Sequence, residues 1–93
     1  QILEVARLLV GESSARLEAE KHIRFTATDA ALAYLVDHGG FDPLLGARPM
    51  RTTIQRLIEG PVAEQILLKQ AGEGDSLRID LDIEGKLVVE KSR

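Results

Sequence analysis

The spacing of apolar residues divides the chain into stretches of helical and of strand character. Over residues 1–20, Leu3, Ala6, Val10 and Leu17 keep the three-four rhythm of a buried helical stripe, widened by Ile2 and Leu9. Gly11 through Ser14 is the weak part of this helix, where it could kink, and Glu18, Glu20 and Lys21 read as its solvated end. Residues 22–26 alternate, with Ile23 and Phe25 on one side, and predict a short strand. Thr28 then caps a helix whose first turn carries Asp29, an acid where the positive end of the helix dipole favours one. Leu32, Leu35 and Val36 form its inner stripe, and Gly39 supplies a left-handed stop.

A further helical pattern starts at Pro49 and carries Met50, Ile54, Leu57 and Ile58 on one face. Gly60-Pro61 is expected to break or kink it, with Val62, Ile66 and Leu67 continuing inward beyond. After a turn at 72–75, Leu77, Ile79, Leu81 and Ile83 alternate with Arg78, Asp80 and Asp82. Glu84-Gly85 reads as a two-residue turn, and Leu87 and Val89 return. A two-stranded hairpin is marginal by itself, so the strand at 22–26 is expected to join it. The fold class is therefore α/β in the α+β sense. Helices pack on one face of a small three-stranded mixed sheet that ends in a C-terminal β-hairpin. Residues 1–93 read as a single domain, and the opening at Gln1, with a helix already in progress, reads as a fragment of a longer polypeptide.

Residues 39–51 stand apart from this pattern. Thirteen positions hold three of the eight glycines, two of the three prolines and two arginines. Pro49 suits the first helical position, which makes Arg48 the expected N-cap, since a residue before proline is pushed into extended backbone. The charges are wrong for a helix start. Arg48, Arg51 and Arg56 follow one another with no acid between Asp42 and Glu59. Each exposed cation there costs about 0.3–1 kcal/mol unless an anion is present. A guanidinium held by Gly46 behind and Pro49 ahead can form paired, charge-assisted bonds to a phosphate or a carboxylate.

Composition narrows the rest. A net charge of −3 and a pI near 5.3, with only Phe25, Tyr34 and Phe41 as aromatics, disfavour a nucleic-acid binder. No apolar run reaches the length of a membrane span. The absence of cysteine excludes disulfides and thiolate metal sites and agrees with a cytoplasmic setting. No phosphate-loop motif and no H-E-x-x-H motif occurs, and His22 and His38 lack ligand-spaced partners. Asp80, Asp82 and Glu84 mark a solvated strand face rather than a metal site, and nothing activates Ser13 or Ser14 as a nucleophile.

The run Gly-Gly-Phe-Asp-Pro-Leu-Leu-Gly-Ala-Arg-Pro-Met-Arg at 39–51 closely resembles the sensor-2 segment of Clp-family AAA+ unfoldases. Their typical form is Gly-Tyr-Asp-Pro-x-Tyr-Gly-Ala-Arg-Pro-Leu-Arg-Arg. The likeness continues through Thr28-Asp29, Ile54-Gln55, Glu59, Pro61, Ala63, Leu67 and Gly74-Asp75, so it covers nearly the whole chain. It is similar to the C-terminal small subdomain of ClpA-, ClpB- and ClpC-type proteins. Phe41 replaces the commoner tyrosine, Leu45 an aromatic, and Thr52 a second basic residue. The resemblance implies that Arg48 is the sensor-2 arginine, reaching the γ-phosphate of ATP, with Gly46 and Ala47 near the nucleotide and Arg51 as an additional candidate. It also implies that Mg²⁺ and the phosphate loop belong to a large subdomain outside this chain. The chain alone is then no enzyme, and no cofactor binds it tightly. The implied partners are that large subdomain, neighbouring protomers of a homo-hexamer, substrate polypeptides and a Clp-type peptidase. No nucleic acid or membrane is implied. The alternative is that the domain serves mainly as an oligomerisation module, using Leu44, Leu45 and the open edge of the hairpin.

Overall fold

The computed structural model describes residues 1–92. Helix α1 (Ile2–Lys21) runs without interruption through Gly11–Ser14. The expected kink is absent because both serine hydroxyls are used: Ser14 Oγ accepts from the Phe25 N–H at 2.9 Å, and the Ser13 hydroxyl donates to Glu59. His22 ends the helix in the left-handed conformation (φ 60°, ψ 35°), and its N–H donates to the Glu18 carbonyl. This is a correction to the strand expected at 22–26. His22 terminates α1, so strand β1 begins later, at Arg24–Ala27.

Helix α2 (Asp29–Leu35) starts where expected. Thr28 Oγ1 accepts from the Ala31 N–H at 3.2 Å, and the same hydroxyl donates to Asp80 at 2.9 Å, tying the cap to the sheet. A wide turn over Val36–Gly40 follows, leaving helical geometry at His38 and at Gly39 (φ 118°). Gly40 is buried there, and a Cβ on it would lie 2.6 Å from the Leu35 carbonyl oxygen and 2.7 Å from Met50 Sδ. Only glycine lets this turn close against the next helix.

Helices α3 (Met50–Ile54) and α4 (Gly60–Leu67) form one rod joined by a π-helical turn at Gln55–Glu59. Gly60-Pro61 does not break it. Gly60 stays helical (φ −60°, ψ −56°) and its N–H bonds the Gln55 carbonyl, five residues back. The π-turn gives the Pro61 ring the room that an α-turn denies it. It also keeps one stripe inward. Met50, Ile54, Ile58 and Val62 are all buried, each four residues after the last. In an α-helix every such step drifts by about 40°, and the extra residue of the π-turn takes up most of that drift. Leu67, expected inward, lies past the end of the stripe and is exposed.

Strands β2 (Ser76–Leu81) and β3 (Leu87–Lys91) form the hairpin, and the sheet order is β1-β2-β3 with β2 central. β1 runs parallel to β2 and β3 antiparallel, so the sheet is mixed as expected. Phe25, Leu77 and Ile79 face the helices, while Arg24, Thr26 and Arg78 are exposed on the open side. There Arg78 bridges to its cross-strand partner Glu90 at 3.3 Å. The hairpin turn differs from the two-residue turn expected. Leu81 pairs with Leu87 and the Asp82 N–H donates to the Lys86 carbonyl, so the loop has three residues, 83–85, with Gly85 at φ 81°. Ile83, expected on the apolar face, is its fully exposed tip. The fold is α/β with the helices on one sheet face and an aliphatic core between the layers.

Candidate functional site

Between the wide turn and α3, residues 42–46 close a small loop. Asp42 and Gly46 exchange two backbone hydrogen bonds of 2.9 and 2.7 Å. Asp42 Oδ1 fills the interior, accepting from the N–H groups of Leu44 (2.7 Å) and Leu45 (3.1 Å). Gly46 turns the chain out of this loop at φ 66°. A second turn follows directly, because the Arg48 N–H donates to the Leu45 carbonyl and the Met50 N–H to the Ala47 carbonyl.

The helix cap therefore sits one residue later than the sequence suggests. The Thr53 N–H donates to the Pro49 carbonyl at 3.0 Å, which makes Pro49 the N-cap, at φ −78° and ψ 4°. Arg48 belongs to the preceding turn because its own N–H is spent on Leu45. Its backbone is fixed on both sides, and its side chain is exposed.

The three arginines of the acid-free run separate in the structure. Arg51 Nη1 bridges to Glu12 Oε1 of α1 at 3.3 Å. Arg56 Nη2, from the π-helical turn, donates to the His38 carbonyl at 3.3 Å and ties the rod to the wide turn. Arg48 is different. Among the described residues no carboxylate lies within ion-pairing distance of its guanidinium, and no hydrogen bond engages it. Around it the loop shows apolar side chains to solvent: Leu44 is 93% exposed, Leu45 50% and Phe41 46%.

The remaining sequence candidates have structural duties. His38 Nδ1 donates to the Tyr34 carbonyl at 2.9 Å and its ring stacks on Tyr34 with centroids 3.7 Å apart. Asp80 accepts from the Leu81 N–H and the Thr28 hydroxyl, bonds that hold its pKa below the usual carboxylate value. Asp82 Oδ1 accepts from the Glu84 and Lys86 N–H groups. Among the described residues no three His, Asp or Glu side chains converge as a metal site. A groove of about 570 Å³, floored by Leu17, Phe25, Val62 and Ile66, lies elsewhere, between α1 and α4. None of the loop residues lines it.

Residues 1–79 match the family model described as the C-terminal, D2-small domain of ClpB protein. This chain belongs to the D2-small family. It is similar to chloroplastic ClpC2 chaperone protein of Arabidopsis thaliana, 43% identical over 89 residues, which covers 96% of the chain and 9% of that relative. Chloroplastic ClpC1 of the same plant is 38% identical over 89 residues, again 96% of the chain and 9% of the relative. A chloroplastic ATP-dependent Clp protease ATP-binding subunit ClpA homolog of Brassica napus is 37% identical over 96% of the chain and 10% of its own length. The chain thus spans about a tenth of the length of these relatives. It is a small domain of a Clp ATPase, in a family of chaperones built from further domains. No helix among the described residues is long and apolar enough to cross a membrane. The relatives are named as chloroplastic, which does not fit a strictly cytoplasmic address for the family.

What the sequence missed at the site was the sorting of the arginines. Glu12 lies thirty-nine residues before Arg51, and no local pattern links them. The cap shift was also out of reach, because it depends on which carbonyl the Arg48 N–H finds.

Proposed function

We propose that this D2-small domain supplies the sensor-2 arginine of an ATP-dependent Clp-type unfoldase, and that this residue is Arg48. One observation carries the reading: of the three arginines in the acid-free run, Arg48 alone has no partner among the described residues. A rigid backbone turn presents it beside exposed Leu44 and Leu45. A single guanidinium suits one edge of a phosphoryl group, with two parallel N–H···O bonds. It does not suit a whole nucleotide, and among the described residues no cluster of carboxylates fits Mg²⁺. Arg48 is accordingly half of a site. ATP and its metal belong to a large subdomain, which supplies the phosphate loop and the catalytic acid. When bound, the nucleotide contributes a γ-phosphate whose charge the guanidinium would stabilise, with the Gly46 and Ala47 backbone alongside. Presence or loss of that bond changes the angle between the subdomains, and in a homo-hexamer this movement works on substrate polypeptides, with or without an attached Clp-type peptidase. Residues 1–93 act as one domain of this machine, and the isolated chain neither hydrolyses ATP nor holds it tightly.

The test is Arg48→Ala in the full-length ATPase. Turnover is expected to fall by about a hundredfold or more, the scale of losing one charged group from a transferring phosphoryl centre. ATPase and unfolding rates near wild type would remove the sensor assignment. Titration of the isolated chain with Mg·ATP by calorimetry should give no tight binding.

A second reading, supported by the exposure of Leu44 and Leu45 and by the open edge of β3, is an oligomerisation module packing on a neighbouring protomer. Leu44→Ser with Leu45→Ser should then lower hexamer content in sedimentation velocity, while Arg48→Ala leaves it unchanged.

A further inference from the structure

Helix α1 and the α3–α4 rod meet along a polar seam that the sensor reading does not use. Glu12 of α1 bridges to Arg51 at 3.3 Å. One turn on, Arg16 bridges to Glu59 at 3.2 Å, and the nearly buried Ser13 donates its hydroxyl to the same Glu59 oxygen. Beside these contacts lies a cavity of about 90 Å³ lined by Leu9, Ile54 and Gln55 together with Ser13, Arg16, Arg51 and Glu59. The signs cross: acid on α1 meets base on the rod, then base on α1 meets acid on the rod. Sliding the rod by one turn, or rolling it about its axis, brings Arg51 towards Arg16 or Glu59 towards Glu12. Like charges then face each other, so the seam favours one register over its neighbours, by the modest amount that half-exposed pairs supply.

The π-turn makes the second contact available. Arg51 and Glu59 are eight residues apart, which in an α-helix overshoots two turns by about 80°. The additional residue in the turn at Gln55–Glu59 absorbs nearly all of that angle and returns Glu59 to the face of Arg51.

We propose that this seam is a register lock that aims Arg48, with Arg51 and Glu59 as positioning residues. Arg51 acts through Glu12 and does not itself touch the nucleotide. The proposal rests on the sensor reading of Arg48. Arg51 is three residues from Arg48, in the first turn of α3, and its bridge restrains the rotation of that helix, into which the turn carrying Arg48 leads directly. A displacement of about 1 Å at a reacting group can cost about a hundredfold in rate.

The experiment is a charge swap in the full-length ATPase, with Arg48→Ala measured alongside. Arg51→Glu should lower kcat by about ten- to a hundredfold with KM for ATP nearly unchanged, since the lost contact acts in the transition state. Adding Glu12→Arg should restore most of the loss, because the bridge re-forms with its signs exchanged. Glu59→Gln, which keeps an acceptor for Ser13, should retain more turnover than Glu59→Ala. Arg51→Gln serves as the milder variant if Arg51→Glu fails to fold by circular dichroism, and its kcat should fall in the same direction. If Arg51→Glu is impaired and the swap does not rescue it, Arg51 acts on its own account and the lock is wrong while the sensor reading stands. Wild-type turnover in Arg51→Glu or in Arg51→Gln would sink the lock in the same way. Wild-type turnover in Arg48→Ala would instead sink the sensor reading, and the lock would have nothing to aim.

Discussion

Two loops of this domain are built by the same device and finished differently. Residues 42–46 and 82–86 each begin with an aspartate whose Oδ1 accepts two backbone N–H groups from the residues that follow. Each closes on a backbone bond between its first and fifth residues, and each uses one glycine at positive φ, Gly46 at 66° and Gly85 at 81°. The hairpin loop carries Glu84 and Lys86, which face each other at 4.0 Å, and leaves one apolar tip, Ile83. The other loop carries Leu44 and Leu45 outward, with exposed Phe41 just before it, and leads into an arginine with no counter-charge among the described residues. A stiff turn with its charges matched is a connection. The same turn with apolar tips and an unmatched cation is a surface prepared for something else.

The largest expected effect breaks the comparison at its centre. Arg48→Ala should lower ATP turnover of the full-length protein by about a hundredfold or more, and Lys86→Ala in the other loop should leave it near wild type. Next in size is Gly40→Ala. Its Cβ meets a backbone carbonyl that cannot move aside, so thermal unfolding should show a loss of about 3 kcal/mol, the upper end for an overpacked site. Gly85→Ala has open space around it and only the positive φ against it, so about 1 kcal/mol is expected. Asp42→Ala and Asp82→Ala should each cost about 1 kcal/mol in denaturant titrations, the scale of a lost cap. They should part in function, with only Asp42→Ala lowering turnover. If both or neither did, the two loops would be equivalent and the comparison empty.

The smallest effect concerns pH. The Leu81 N–H and the Thr28 hydroxyl hold the Asp80 pKa below its ordinary value, and the Gly72 N–H does the same for Asp75. A depressed folded pKa means that the stabilisation is complete at neutral pH. It fades once pH drops below the unfolded value of about 4 and is lost through the lower folded value. Acid titration of stability should therefore be shallower in Asp80→Asn than in wild type. An identical slope would show that the cap bonds do not favour the charged form.

Element types were legible from residue spacing because each element has one buried face. The cap at Thr28 and the positive φ of Gly39 were legible because they rest on neighbours in sequence, although α2 itself ends earlier, at Leu35. The errors share a cause. His22, Arg48 and Ile83 were each misplaced by a register of one or two residues, and in each case a hydrogen bond chosen by tertiary context fixed the boundary. The π-turn did leave a trace. Met50, Ile54, Ile58, Val62 and Ile66 repeat every four residues, too long for an α-helix to keep on one face, and the sequence shows this before any fold is known. The candidate site was legible as a run of arginines without acids. Which arginine stays unpartnered depended on Glu12 and the His38 carbonyl, both supplied by other elements.

The parallel pairing of β1 with β2 also sets an order of events. Arg24 lies beside Ser76, about fifty residues later in the chain, and both the loop that carries Arg48 and the α3–α4 rod that follows it are enclosed between them. Closing a loop of that length costs about 3.5 kcal/mol in chain entropy before the contacts it brings can form. On a ribosome the chain emerges from its N-terminus, so Phe25 waits beside α1 without its strand partner until Leu77 has been made. Arg48 is synthesised between the two strands, and the sheet of its domain is completed only when the hairpin arrives.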